Sequence, residues 1–227
     1  MPLHLLWRLS RFPSSPWPRS FLRRAARAAG VDVSVTGQPL RRDVLYVANH
    51  LSWIDILAVA GATGARFVAK DEVRQWPLIG WLASLNDTIY VARTERGRVH
   101  QQSERLRAAL EGSMPVMLFP EGGTGDGHGV GPFRASLLAA LCPPRPGLRL
   151  QPLALDYGAE APLVAWPEAN GTGMEAMRIL ALPGRRRLTI HALPPIDPAA
   201  IPDRKALAAT ARDALCQVLG EGHSQPV

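Results

Sequence analysis

The chain is patterned as short apolar runs separated by stretches of helical period. Val44 to Ala48 is continuously apolar and rich in β-formers, which predicts a strand buried on both faces. Ser52 to Ala60 has helical character, and Arg66 to Ala69 reads as a second short strand. The apolar stretch from Trp76 to Leu82 surrounds Pro77 and predicts a short helix or loop. Thr88 to Ala92 is a third strand. Arg98 to Leu110 shows helical spacing with a polar face, closed by Gly112. Val116 to Phe119 is a fourth strand. Phe133 to Leu141 is helical, stopped by Pro143, Pro144 and Pro146. Leu148 to Leu155 is a fifth strand, whose Pro152 implies an edge or a bulge. Tyr157 to Gly173 is a loop region rich in glycine and proline. Arg187 to Ala192 alternates as a sixth strand, and Pro202 to Leu219 is an amphipathic helix with its proline in the first turn. Strands alternating with helices predict an α/β fold: one layered domain with a mixed, mostly parallel sheet flanked by helices.

Length changes this picture little, because 227 residues suit one domain and 47% hydrophobic content is ample for a core. Charge adds a segment to it. The formal charge is +7, and almost all the positive charge is arginine, since Lys70 and Lys205 are the only lysines. Arg8, Arg11, Arg19, Arg23, Arg24 and Arg27 crowd the first thirty residues among Leu3, Trp7, Phe12, Trp17 and Phe21. Arginine interleaved with bulky apolar residues suits a segment lying on an anionic bilayer. The expected organisation is therefore an interfacial membrane-anchoring segment over residues 1–30 and a folded domain over 31–227. No run reaches the roughly 18 apolar residues of a spanning helix. Arg8 breaks the N-terminal apolar run too early for a signal peptide. Cys142 and Cys216 fit ordinary thiols of a reduced protein, with no metal-ligand spacing around them.

Two local patterns carry candidate chemistry. In Asn49-His50-Leu51-Ser52-Trp53-Ile54-Asp55, a histidine follows a predicted strand and a carboxylate opens the next helix. A neutral imidazole suits removal of a hydroxyl proton, and a carboxylate on its second nitrogen would fix the tautomer and stabilise the imidazolium. Ser52 and Asp55 also fit a helix-capping box, and the two readings coexist. In Phe119-Pro120-Glu121-Gly122-Gly123-Thr124-Gly125-Asp126-Gly127, a strand ends in an acidic, glycine-rich loop. Its amides suit an anion or a developing oxyanion, or else form a flexible turn. It lacks the lysine of a phosphate-binding P-loop and the acidic spacing of a calcium loop. The chain has no G-x-S-x-G nucleophile elbow, so an attacking group would come from the substrate.

Together these patterns resemble the glycerolipid acyltransferase family, with its N-H-x-S-x-x-D and F-P-E-G blocks. Arg93, after Thr88-Ile89-Tyr90-Val91-Ala92, is similar to a second family block ending in arginine. Phe133-Arg134-Ala135-Ser136 resembles P-F-[KR]-x-[GS], and Gln151-Pro152-Leu153-Ala154-Leu155-Asp156-Tyr157 resembles the fourth block. The resemblance implies His50 and Asp55 as the catalytic pair, with Arg93, Glu121, Gly122, Gly123 and Thr124 binding substrate. It implies no bound cofactor and no metal. A fatty acyl thioester on acyl carrier protein or coenzyme A is the implied co-substrate. The resemblance implies a lysolipid as the acceptor and an anionic membrane surface as the partner. The implied place is the cytoplasmic face of a bacterial inner membrane, held peripherally. The third block departs from F-P-E-G-T-R-S, for Gly123, Thr124, Gly125 and Asp126 stand where that block offers the arginine that helps hold a glycerol phosphate. Thr124-Gly125-Asp126-Gly127 and the Gln151-Pro152 strand look like the lyso-ornithine lipid branch, whose acceptor has no phosphate. Arg93 points instead to lysophosphatidic acid. A non-catalytic membrane-binding protein is the remote alternative. No recognised nucleic-acid motif is present, so nucleic acid is not an expected partner.

Overall fold

The computed structural model describes residues 16–71, 88–91, 99–112, 114–166 and 172–222. Helix α1 (Pro16–Ala28) leads into strand β1 (Val31–Gly37), β2 (Val44–Ala48), helix α2 (Trp53–Thr63), β3 (Arg66–Lys70) and β4 (Ile89–Val91). Helix α3 (Val99–Glu111), β5 (Val116–Leu118), a 3-10 helix (Ala135–Leu141) and β6 (Arg149–Asp156) follow. The one-turn α4 (Ala161–Val164), α5 (Thr172–Leu180), β7 (Arg186–Ala192) and α6 (Arg204–Gly222) complete the order. The seven strands form one sheet in the order β1-β7-β6-β2-β5-β3-β4. Every pairing is parallel except β6 with β7. The expected mixed, mostly parallel α/β fold is thus the one observed.

The centre of the sheet follows from the composition of β2, whose five residues are all buried. Its pleat divides them between two layers. Val44, Tyr46 and Ala48 belong to the core that includes Leu22 and Ala26 of α1 and Ile54, Leu57 and Ala58 of α2. Leu45 and Val47 belong to the opposite core, with Leu106 and Leu110 of α3, Leu138 and Leu141 of the 3-10 helix, and Leu207 and Ala211 of α6. Helix α1 approaches α2 closely at Gly61, where a Cβ would lie 2.7 Å from the Arg23 backbone. Leu22 and Ala26 therefore tie residues 16–28 to the domain, and Phe21, Arg23, Arg24 and Arg27 lie on its exposed side. The rest of the proposed interfacial segment, residues 1–15, lies outside the described residues, as does the stretch from Trp76 to Leu82.

Several elements differ from the pattern-based expectation. Strand β1 was not among the six expected strands, although Val31, Val33 and Val35 alternate with polar residues. Residues 135–141 form a 3-10 helix rather than an α-helix. The one-turn α4 lies within the expected loop region, α5 begins at its end, and α6 starts after Pro202 rather than around it. At that start Asp203 accepts hydrogen bonds from the N–H groups of Lys205 and Ala206 and caps the helix. Pro152 lies in a central strand. Leu153 pairs with Ala192 but Leu150 with Ile196, so two residues of β6 face three on the other side. This bulge removes the need for a proline N–H.

Candidate active site

Strands β2, β5 and β6 are adjacent and parallel, with β2 in the middle. Their C-terminal ends therefore release three loops at one end of the sheet. Open α/β sheets place ligands at this end. The loop after β2 carries His50, the loop after β5 carries Glu121, and Tyr157 follows β6.

Asn49 fixes the exit from β2. Its side-chain N–H donates to the Leu155 carbonyl at 3.0 Å, and its oxygen accepts from the Leu155 N–H at 2.8 Å. The side chain thus continues the β2–β6 ladder by one rung and orients the residue that follows. His50 Nδ1 lies 2.9 Å from Asp55 Oδ2. Because a carboxylate only accepts, Nδ1 carries the proton and Nε2 is left as the basic nitrogen. Among the described residues no hydrogen bond engages Nε2. The imidazole stacks on Phe119 at a centroid distance of 3.9 Å and is 16% exposed.

Asp55 is wholly buried and anchored on both oxygens. Oδ2 accepts from His50, from the Leu51 N–H at 2.7 Å and from the Ser52 N–H at 2.8 Å. Oδ1 accepts from the Tyr157 hydroxyl at 2.8 Å. Four donors and the N-terminus of α2 surround the carboxylate, as a buried negative charge requires. The capping box is present as well: Ser52 Oγ accepts from a backbone N–H in the first turn while Asp55 reaches back to Ser52. One residue thus caps the helix and orients the histidine. Burial first, and then the adjacent Asp55, pushes the Tyr157 hydroxyl well above its ordinary value, so it remains a donor.

Glu121 joins the two sequence motifs. Oε1 accepts from the His50 backbone N–H and Oε2 from the Gly131 N–H, both at 3.0 Å. Gly131 must lack a side chain, since a Cβ there would lie 2.6 Å from Oε2. The Gly125 N–H returns to the His50 carbonyl at 2.7 Å, and Thr124 Oγ1 donates to the Trp166 carbonyl. The Gly122 N–H closes a turn onto Phe119 at 3.2 Å. Of the expected oxyanion amides, those of Gly123 and Thr124 have no hydrogen bond among the described residues. Glu121, Gly123 and Thr124 line a cleft of about 660 Å³, and Glu121 links that cleft to the His50 backbone. No three His, Cys, Asp or Glu side chains among the described residues are placed to hold a metal.

Burial pushes the Glu121 carboxyl above its ordinary range, against the pull of its two N–H donors. A raised folded-state value stabilises the fold fully below the ordinary glutamate range of about 4.3 and loses that contribution as pH rises through the raised value. In Glu121→Gln, the amide NH₂ must face one of the two backbone donors. We expect a loss of about 1–3 kcal/mol. The gap in melting temperature to wild type should narrow as pH rises, which thermal melts across pH would check.

Of the expected site residues, His50, Asp55, Glu121, Gly122, Gly123 and Thr124 come together at this end of the sheet. Arg93 lies outside the described residues. Asn49 and Tyr157 had stood in the quoted motifs without a role. The asparagine beside the histidine was a usable signal. Tyr157 was not, because its partner lies 102 residues away in sequence.

Comparisons with known proteins give the family and the fold. The acyltransferase family model matches residues 32–155. A lyso-ornithine lipid O-acyltransferase of Rhodobacter capsulatus is 30% identical over 97% of this chain and 85% of that protein. One of Brucella abortus is 34% identical over 85% of this chain and 78% of that protein. The crystal structure of a 1-acyl-sn-glycerophosphate acyltransferase from Thermotoga maritima shares the fold at a TM-score of 0.71 and 19% identity, covering 98% of this chain and 88% of that one. The matched region contains β2, β5 and nearly all of β6, which converge on His50, and the chain belongs to the acyltransferase family.

Proposed function

We propose that this protein transfers a fatty acyl group from a thioester donor to the free hydroxyl of a lysolipid, with lyso-ornithine lipid as the acceptor. The observation that carries the reading is His50, held through Nδ1 by a buried carboxylate and leaving Nε2 without a described partner. Nε2 removes the acceptor's hydroxyl proton as its oxygen attacks the thioester carbonyl. The imidazolium so formed is stabilised by Asp55. The amides of Gly123 and Thr124 face the developing oxyanion. Collapse of the tetrahedral intermediate expels the thiolate, which takes the proton from His50, and the base is regenerated. No group on the protein is acylated and no cofactor is consumed.

The names of the two lyso-ornithine lipid relatives support the acceptor, as does the lack of the phosphate-binding arginine in Gly123 to Asp126. The resemblance of the Arg93 block favours a second reading, lysophosphatidic acid. A competition assay with both acceptors and one acyl thioester decides between them. Faster acylation of lyso-ornithine lipid is expected. The donor carrier is acyl carrier protein or coenzyme A, both acidic partners for a chain of net charge +7.

Residues 1–30 are proposed as the interfacial segment of the acyltransferase domain at 31–227, on the cytoplasmic face of a bacterial inner membrane. No described helix is long and apolar enough to cross a membrane. Support comes from the exposed Phe21 and arginines of α1 and from the leucine, tryptophan and arginine pattern before it. Because Leu22 and Ala26 are core residues, the informative truncation removes only residues 1–15. It is expected to keep the melting temperature and to weaken sedimentation with anionic vesicles. Undiminished vesicle binding would move the anchor elsewhere.

A further inference from the structure

The cleft formed by the glycine-rich loop is lined by Arg134 and Asp126, two charged side chains that the catalytic scheme does not use. Arg134 is exposed and lines the cleft, and its backbone N–H is fixed to the Pro120 carbonyl at 2.8 Å. Its guanidinium lies across Gly122, where a Cβ would meet Cζ and Nε at 2.9 Å and Nη1 at 3.1 Å. Gly122 also has a φ of +76°, so its backbone favours glycine, and the missing side chain leaves room for the guanidinium. Among the described residues no hydrogen bond or ion pair engages the Arg134 side chain. The nearby carboxylate of Glu121 is turned to the N–H groups of His50 and Gly131. Asp126 lines the same cleft. Its Oδ1 accepts from the His128 N–H at 2.9 Å, and Oδ2 makes no hydrogen bond among the described residues.

An open guanidinium and an open carboxylate in one cleft match a zwitterion better than a dianion. Phosphate would gain from Arg134 and be repelled by Asp126. The head of an N-acylated ornithine carries a carboxylate and a side-chain ammonium on one short chain. We propose that Arg134 and Asp126 form the head-group site of the acceptor, Arg134 binding its carboxylate and Asp126 its ammonium. The proposal rests on the lysolipid-acylating function above and names the group that selects the acceptor. It also explains how the glycine-rich loop manages without an arginine of its own: the cation comes from the next segment and is laid over Gly122. Guanidinium and carboxylate pair through two parallel hydrogen bonds, which orients the head as well as holding it.

The test uses the full-length protein, one acyl thioester and four acceptors: lyso-ornithine lipid, its carboxyl methyl ester, its δ-N-acetyl form and lysophosphatidic acid. Wild type is expected to use the ester about ten- to hundredfold less efficiently than the acid, mainly through KM, as for the loss of a charge-assisted pair. In Arg134→Gln the acid and ester rates should converge, and Arg134→Lys should restore part of the difference. In Asp126→Asn the acid and its acetylated form should converge in the same way. Unchanged melting temperatures and retained turnover of the modified acceptors report intact folding. Equal use of acid and ester by wild type, or an equal loss on both in Arg134→Gln, overturns the head-group site and leaves the acyltransferase reading standing. A loss confined to lysophosphatidic acid in Arg134→Gln makes the site a phosphate site and overturns the proposal. No turnover of any acceptor by folded wild type overturns the function and the proposal together.

Discussion

His50→Ala is expected to lose about 10²- to 10⁴-fold in turnover, the range general-base catalysis supplies. Its melting temperature should change little. The imidazole is partly exposed and its removal leaves Asp55 still bound by the N–H groups of Leu51 and Ser52 and by the Tyr157 hydroxyl. The stacking contact with Phe119 is lost, but no buried donor is stranded. Steady-state rates with a lysolipid and an acyl thioester, set beside thermal melts, read the two effects separately. Near-wild-type turnover in the folded variant would sink the proposed mechanism.

Asp55 is expected to separate catalysis from capping. In Asp55→Asn, the two backbone N–H groups and the histidine N–H require the amide oxygen on their side. The NH₂ then faces Tyr157, whose hydroxyl can accept instead of donate. Only the buried Tyr157 O–H is left without an acceptor, at about 1–3 kcal/mol, so the fold should weaken but survive, and the imidazole tautomer with it. The negative charge that stabilises the imidazolium is gone. A charge-assisted hydrogen bond contributes about 1.5–3 kcal/mol, so a loss of roughly ten- to hundredfold in rate is expected. Asp55→Ala differs in kind. It strands two buried N–H groups and a buried hydroxyl at about 1–3 kcal/mol each, a large share of the stability of an ordinary domain. Asp55→Ala should therefore melt far lower than Asp55→Asn. If Asp55→Asn instead unfolds while its folded fraction keeps full specific activity, Asp55 serves the helix alone.

Much of the site was legible because its parts are local. His50 and Asp55 lie on one strand-to-helix turn, and the spacing from Ser52 to Asp55 already specifies a capping box, so their contact needs no long-range partner. Strands β2, β3, β5 and β6 were legible because buried strands are short, apolar and bounded by turn residues. Strand β1 was less legible, because its Val31, Val33 and Val35 alternate with polar residues and only Val31 is fully buried. The arginines before that strand hid Leu22 and Ala26, whose neighbours on the helix are charged but whose own positions face the core. A sequence does not say which apolar residues meet lipid and which meet protein, since both remove the same surface from water.

The sequence by itself determined the fold class, the histidine–carboxylate pair, the acidic glycine loop and the excess of arginine. These follow from periodicity and from hydrogen bonds spanning a few residues. Only the tertiary structure decided which strand ends meet. Placing β2 between β5 and β6 brings Glu121 to the His50 backbone across 71 residues and Tyr157 to Asp55 across 102. Within the connection after β5, the bond from the Arg134 N–H to the Pro120 carbonyl lays Arg134 over Gly122, supplying a cation to a loop that has none in sequence. The physical reason is that strand order is selected by the summed burial of both sheet faces against all the helices at once. No local signal encodes that sum, and the contacts that turn a histidine–aspartate pair into a site depend on it.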